Sequence, residues 1–227
     1  MRIIDQSYEV KLLAPFGAQA ALIEDCGRVA YASEDSIAEG SSSEFVKMIR
    51  GKNHGAVLEH SIMTVKFITD RGVSHELVRH RLASFTQEST RYCNYSKDKF
   101  AGQVTFIRPT WVSESVLGCW KDDEDTFDSK FTTNTPDSLW LSSMRAAEKT
   151  YLDLIQSGWK AQQARAVLPN SLKTKIAVTA NFREWLHIFQ LRAVEKAAHP
   201  QMRDLMIPLY NWCRELSPEI FDLGDPE

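Results

Sequence analysis

Arg79-His80-Arg81-Leu82-Ala83-Ser84-Phe85-Thr86-Gln87-Glu88-Ser89-Thr90-Arg91-Tyr92 sets three cationic or titratable side chains in a row, with a further arginine ten residues beyond the third. An amide, a carboxylate and hydroxyls lie between them. Such a segment suits an anionic, polar ligand: arginine forks match phosphate oxygens, and the neighbouring polar groups can read the edge of a base.

The flanks of this stretch set its local structure. Upstream, Met63, Val65 and Phe67 alternate with Thr64, Lys66 and Ile68, which predicts a strand buried on one face. Asp70-Arg71-Gly72 turns the chain, and Ser74 is placed to cap a helix over about 75–82, so the stretch is expected to start on a helix and run into a loop. Further strands are predicted at 8–13, 103–108 and 172–179, and helices at 17–32, 43–50, 160–168 and 181–194. Pro136 opens the longest helical pattern, with Gly158 as its terminator. Pro200 starts a last helix that Pro208 should kink or break. The acidic, polar segment at about 121–137 reads as a surface loop. Strands and helices mixed without a βαβα rhythm predict an α+β domain over 1–227, a mixed or antiparallel sheet flanked by long helices.

Bulk composition removes several function classes. The chain has 227 residues, 43% of them hydrophobic and 25% charged, with a net charge of -3, so nothing in bulk recruits nucleic acid or a membrane. Cys26, Cys93, Cys119 and Cys213 are scattered without metal-type spacing, as free thiols of a reducing, cytoplasmic compartment are. No apolar run reaches membrane-spanning length, and the start has no signal-peptide shape.

Three further groups carry candidate chemistry. Arg165 stands in Ala164-Arg165-Ala166-Val167-Leu168-Pro169, where an isolated arginine is either a snorkelling surface residue or a ligand. In the run 181–192, Trp185, Ile188 and Phe189 supply a core stripe, while Arg183 and His187 lie one turn apart. Arg192 follows Arg183 by nine residues, hence ~13 Å along a helix axis and ~180° around it, so the two face different ligands or different subunits. His54-Gly55-Ala56-Val57-Leu58-Glu59-His60 has two histidines and a glutamate, but not on the one-face spacing of His-Glu-x-x-His, and it is read as no metal site.

Together these motifs resemble the flavin-dependent thymidylate synthases. The family signature, Arg-His-Arg, about seven residues and then Ser, is met by 79–89 and continues through Ser89-Thr90-Arg91-Tyr92. The resemblance spans about 28–192. It implies reductive methylation of deoxyuridylate (dUMP) to thymidylate, with methylenetetrahydrofolate as one-carbon donor and NADPH acting through bound FAD, in a homotetramer with sites at subunit interfaces. It implies that dUMP meets Glu76, Arg79, Gln87, Glu88, Ser89, Thr90, Arg91, Arg165 and Arg192. It places FAD against Ala56, Glu59, Arg79, His80, Arg81, Gln87, Asn181, Arg183 and His187. The chain departs from the family pattern at Thr86-Gln87, where many members have Asn-Glu, at Glu88, often apolar, and at Ala56, often hydroxyl-bearing.

No cysteine here follows a proline, so the cysteine nucleophile of the flavin-free thymidylate synthase is missing. Arg192 is expected to stabilise charge developing on the pyrimidine. Ser89, which would need an adjacent base to act as a nucleophile, is expected to hydrogen-bond phosphate or base. The competing reading is a non-catalytic nucleotide- or RNA-binding module, in which Phe85, Tyr92 and Tyr95 stack bases beside the arginines. An inactive family member is the other alternative.

Overall fold

The computed structural model describes residues 1–120 and 135–226, so most of the expected acidic loop lies outside the described residues. Its end does not: Thr135 caps, and Pro136 and Asp137 begin, a helix. The elements are β1 (Arg2–Ile4), β2 (Ser7–Lys11), α1 (Phe16–Arg28), α2 (Ser41–Gly51), β3 (Ile62–Asp70), α3 (Arg71–Leu77), β4 (Ala83–Gln87), β5 (Thr105–Ile107), β6 (Gly118–Cys119), α4 (Pro136–Gln156), α5 (Ala161–Ala164), β7 (Lys173–Asn181), α6 (Phe182–Phe189) and α7 (Pro200–Leu216). The fold is mixed α+β, with helices beside two sheets. No helix among the described residues is long and apolar enough to cross a membrane.

The chain divides into two compact units. The first holds 1–7, 67–77 and 86–176. In it β1 runs parallel to β5 and antiparallel to β6, so Ile3 pairs with Phe106 on one side and Gly118 on the other. Ile3, Phe106, Val104, Val116, Leu141 and Tyr151 form its core, each at most 1% exposed. Burial of that apolar surface is the main stabilising term. Thr135 and Ser138 cap α4 reciprocally, and Gly158, at φ +94°, ends the turn after it.

The second unit holds 8–66, 78–85 and 177–227. Its core is aromatic: Phe16, Phe182, Phe189 and Phe221 meet edge to face at 5.1–6.0 Å between centroids. Trp185 is fully buried, and its indole N–H donates to the Met63 carbonyl at 2.9 Å. At Gly27 a Cβ would come within 2.6 Å of the Phe45 ring, so a larger residue there would have to push that ring aside. A four-stranded sheet has the order β2-β3-β7-β4.

Several expectations change here. The helix before the arginine run is Arg71–Leu77, not 75–82, because Asp70 rather than Ser74 caps it: Asp70 Oδ1 accepts from Val73 N at 2.7 Å. Arg79, His80 and Arg81 therefore stand in the turn between that helix and a strand, β4, which replaces the expected loop. The 160–168 helix shortens to α5 and a 3-10 turn, and α7 continues through Pro208 as one helix. All four cysteines carry free thiols.

Candidate active site

In the first unit, the end of β4 and the turn after it carry Gln87 to Arg91. Gln87 turns its amide inward, donating to Ser74 Oγ at 2.8 Å and to Thr174 Oγ1 at 3.2 Å. Glu88 is ion-paired with Lys173 at 2.7 Å and accepts from the Tyr95 hydroxyl at 3.4 Å. Burial, and then the Glu88 charge, push the Tyr95 hydroxyl well above the usual phenol range. Both side chains thus spend groups on shaping the turn. Ser89 Oγ accepts from Arg91 N at 3.3 Å, and among the described residues no side-chain base hydrogen-bonds to it. Arg165 Nη1 donates to the buried Thr90 hydroxyl at 3.1 Å. Arg165 and Thr90 share a cavity of about 460 Å³ with Arg71, His75 and Gln162, and among the described residues no carboxylate lines it. Its chemistry is that of an anion pocket. Glu76 is half-buried, one residue along α3 from His75.

In the second unit, Asn181 caps α6, its Oδ1 accepting from Glu184 N at 2.8 Å. Arg183 reaches Glu59 at 2.7 Å. Arg183 and Ala56 line a cavity of about 590 Å³, whose apolar wall includes Phe45 and Ile49, and whose rim includes Lys52 and His54. Apolar walls with a few polar groups are what a flat heteroaromatic ligand requires. His54, weighed from the sequence as a metal ligand in the 54–60 run, lines this cavity instead. Arg79 and Arg81 are exposed, and His80 between them is 4% exposed.

His80 is the centre of a polar group. Arg192 Nε donates to its Nε2 at 3.2 Å, its Nδ1 lies 3.7 Å from Glu184 Oε1, and the His187 ring meets it edge to face at 5.8 Å. Arg192 comes to it from a π-helical segment, Gln190–Val194, that continues α6. His80, Glu184 and His187 bring one ligand atom each within 4.8 Å of one another, the geometry of a metal triad. Against a cation there, Nε2 already accepts from Arg192, and a guanidinium is the nearest charge. Burial first, and then Arg192 and His187, lower His80 to about 4. Burial raises Glu184, with His187 opposing.

The His80 shift has a consequence for stability. A histidine whose folded-state value lies below its unfolded 6.5 is protonated first in the unfolded chain, so stability falls as pH drops from about 6.5 toward 4. Thermal melts across that window should show a smaller loss for His80→Gln than for the parent. An equal loss in both proteins would mean that other groups cause it.

A family model described as "Thymidylate synthase complementing protein" matches residues 11–219. The flavin-dependent thymidylate synthase of Geobacter sulfurreducens is 32% identical over 214 residues, covering 91% of this chain and 82% of the relative. The chain belongs to the flavin-dependent thymidylate synthases. The enzyme of that name from Pyrococcus furiosus is 31% identical over 90% of this chain and 81% of its own. Among solved structures, thymidylate synthase X of Helicobacter pylori, determined with FAD and dUMP, matches with a TM-score of 0.71 at 19% identity over 96% of this chain and 97% of that one. The Streptomyces cacaoi UMP/dUMP methylase PolB, bound to 5-Br dUMP, gives 0.69 at 23% identity over 97% and 95%. At these identities the two structures speak for the fold. Within this flavin-dependent thymidylate synthase, the signature residues Arg79, His80 and Arg81 lie in the turn between α3 and β4.

Proposed function

We propose that the protein methylates dUMP to thymidylate, with methylenetetrahydrofolate as carbon donor and NADPH as reductant through bound FAD. Family membership carries the reading; the pocket lined by Arg71, His75 and Arg165 supports it, because a nucleoside monophosphate needs such cationic groups for its phosphate. Arg165, with Thr90 bracing it, Arg79 and Arg91 hold the phosphate. Ser89 and the backbone of 87–90 hydrogen-bond the nucleotide. Arg192 stands beside the pyrimidine and stabilises charge developing on N3 and the carbonyls.

The 590 Å³ cavity fits part of a flavin nucleotide, with an apolar wall for rings and cationic groups for phosphates. Asn181, Arg183, His187, Glu59, Arg79 and Arg81 would hold it. Bound FAD supplies hydride transfer, chemistry no side chain offers. The homotetramer that the family resemblance implies would let one ligand meet several protomers, and the exposed side chains of Arg79, Arg81, Leu82, Arg91 and Tyr92 are available to such contacts. That assembly is expected to be cytoplasmic.

The test is thymidylate formation by purified protein given dUMP, methylenetetrahydrofolate and NADPH at low oxygen, with and without added FAD. Flavin-dependent product supports the proposal; a yellow protein without product points to an inactive member; neither colour nor product leaves the nucleotide-binding reading. Ser89→Ala should keep measurable turnover, since among the described residues no side-chain base hydrogen-bonds to the hydroxyl, which accepts from Arg91 N. Complete inactivity with dUMP still bound would make Ser89 the nucleophile.

A further inference from the structure

His80 stands in the middle of the signature, yet its ring nitrogens point into the protein's own polar group rather than to solvent. The ring is 4% exposed, whereas Arg79 and Arg81 on either side are exposed. Its Nε2 receives the Nε–H of Arg192 at 3.2 Å, across 112 residues of sequence. Arginine is a donor only, so Nε2 must keep its lone pair and the proton of the neutral imidazole sits on Nδ1. Nδ1 faces Glu184 Oε1 at 3.7 Å, beyond direct hydrogen-bond length but close enough for a carboxylate to favour that tautomer.

We propose that His80 is a positioning residue for Arg192: held as the Nδ1–H tautomer beside Glu184, it accepts the Arg192 Nε–H through Nε2 and fixes the guanidinium where the pyrimidine binds. This rests on the reading that Arg192 acts on dUMP. It assigns His80 a task distinct from holding flavin, and it gives buried Glu184 a reason to be where it is.

The chemistry requires a neutral ring. A protonated imidazole has two donors and would repel the guanidinium, breaking the contact. The groups that face the ring are Glu184 and His187 from α6 and Arg192 from the π segment. Two of the three are cationic or can become so, which with burial keeps the ring neutral throughout the physiological range. A rigid acceptor matters because an arginine on a helix end otherwise samples several rotamers, and a misplaced charge loses most of its effect on a transition state.

The experiment compares His80→Gln, whose Oε1 can replace Nε2 as acceptor, with His80→Leu, which fills the space without one. Flavin content is read from visible absorbance, dUMP binding from its effect on flavin fluorescence, and kcat and KM separately. His80→Leu is expected to lower kcat about 10–100-fold, the usual scale for removing a partner that orients an active group, with flavin content unchanged. His80→Gln should recover most of that loss. In an Arg192→Ala background, His80→Leu should change dUMP binding no further, because the two act as a unit. Loss of flavin in both variants would overturn the proposal and make His80 a flavin ligand. So would equal kcat loss in both with flavin retained. Should parent protein make no thymidylate, or Arg192→Ala retain full turnover, the underlying reading fails instead, and the two failures are separable.

Discussion

Arg192→Ala abolishes thymidylate formation, with kcat reduced at least ~10²–10³-fold, while the purified variant stays yellow. The size follows from what removing one preorganised charge costs where negative charge develops in a site shielded from water. Retained colour follows from position: Arg192 lies in the π segment and bonds to His80, whereas Arg183 and Ala56 line the separate cavity assigned to flavin. Arg192→Lys should rescue little. A lysine keeps the charge but has no Nε–H for His80 Nε2 and no planar fork for a pyrimidine edge. Absorbance at the flavin band and single-turnover product formation check both variants. A colourless Arg192→Ala protein would show that Arg192 belongs to the flavin site.

Trp185→Ala unfolds the protein more than any surface change, by about 3–5 kcal/mol, the usual range for truncating a large buried aromatic. Trp185 is fully buried, stacks near Phe189 at 5.5 Å between centroids, and donates its indole N–H to Met63 O. Truncation leaves a cavity and an unsatisfied carbonyl together. For a chain of this length the melting temperature should fall by roughly 10 °C. Trp185 also anchors the helix that carries Arg183 and His187, so flavin affinity should drop with stability. Trp185→Phe separates the two causes: it fills most of the space but cannot donate, and its loss should be near that of one buried hydrogen bond, ~1–3 kcal/mol. A calorimetric scan with and without added FAD measures both. A variant that melts with the parent would remove Trp185 from the core account.

Much of this was legible in the chain, and the reasons are local. Met63, Val65 and Phe67 alternate because one face of β3 is buried, and each is fully so. Asn181 reads as a cap because its side chain reaches the amide three residues on, as it does. Pro136 reads as the start of α4 because its ring is pre-set for a first helical turn, and it stands there, while the Thr135 cap before it lies inside what the sequence reads as loop. The misreadings are cases where two residues competed. Asp70 and Ser74 are both able to cap, and the carboxylate wins four residues earlier, which moves the arginine run off a helix and into a turn. Ala83–Gln87 carries polar residues at alternate positions and no strong apolar period, so its pairing as a strand comes from the sheet rather than from itself. Pro208 stays within a helix that packs Leu205, Met206, Leu209 and Tyr210 into the core, and that burial outweighs a lost backbone bond. Site residues carried by motif were recoverable by number, but their partners were not. Nothing in the sequence links His80 to Arg192, or Arg165 to Thr90, because both contacts are made by distant segments meeting in three dimensions.

The π-helical turn over Gln190–Val194 is closed by an amide-to-carbonyl bond five residues apart, Glu195 N to Gln190 O at 3.0 Å. In a ladder of four-residue steps such a turn amounts to one surplus residue. Deleting a single residue between 189 and 192 would restore the shorter step, leave Phe182, Trp185 and Phe189 in place, and change the angle and height at which the arginine leaves the axis, loosening its contact with His80. Such a protein should still fold and still hold flavin, yet make no thymidylate. A loss or gain of one codon in this turn would therefore separate an enzyme from a silent flavoprotein, which makes the turn's residue count, rather than the presence of an arginine, the feature to compare between active and inactive chains of this shape.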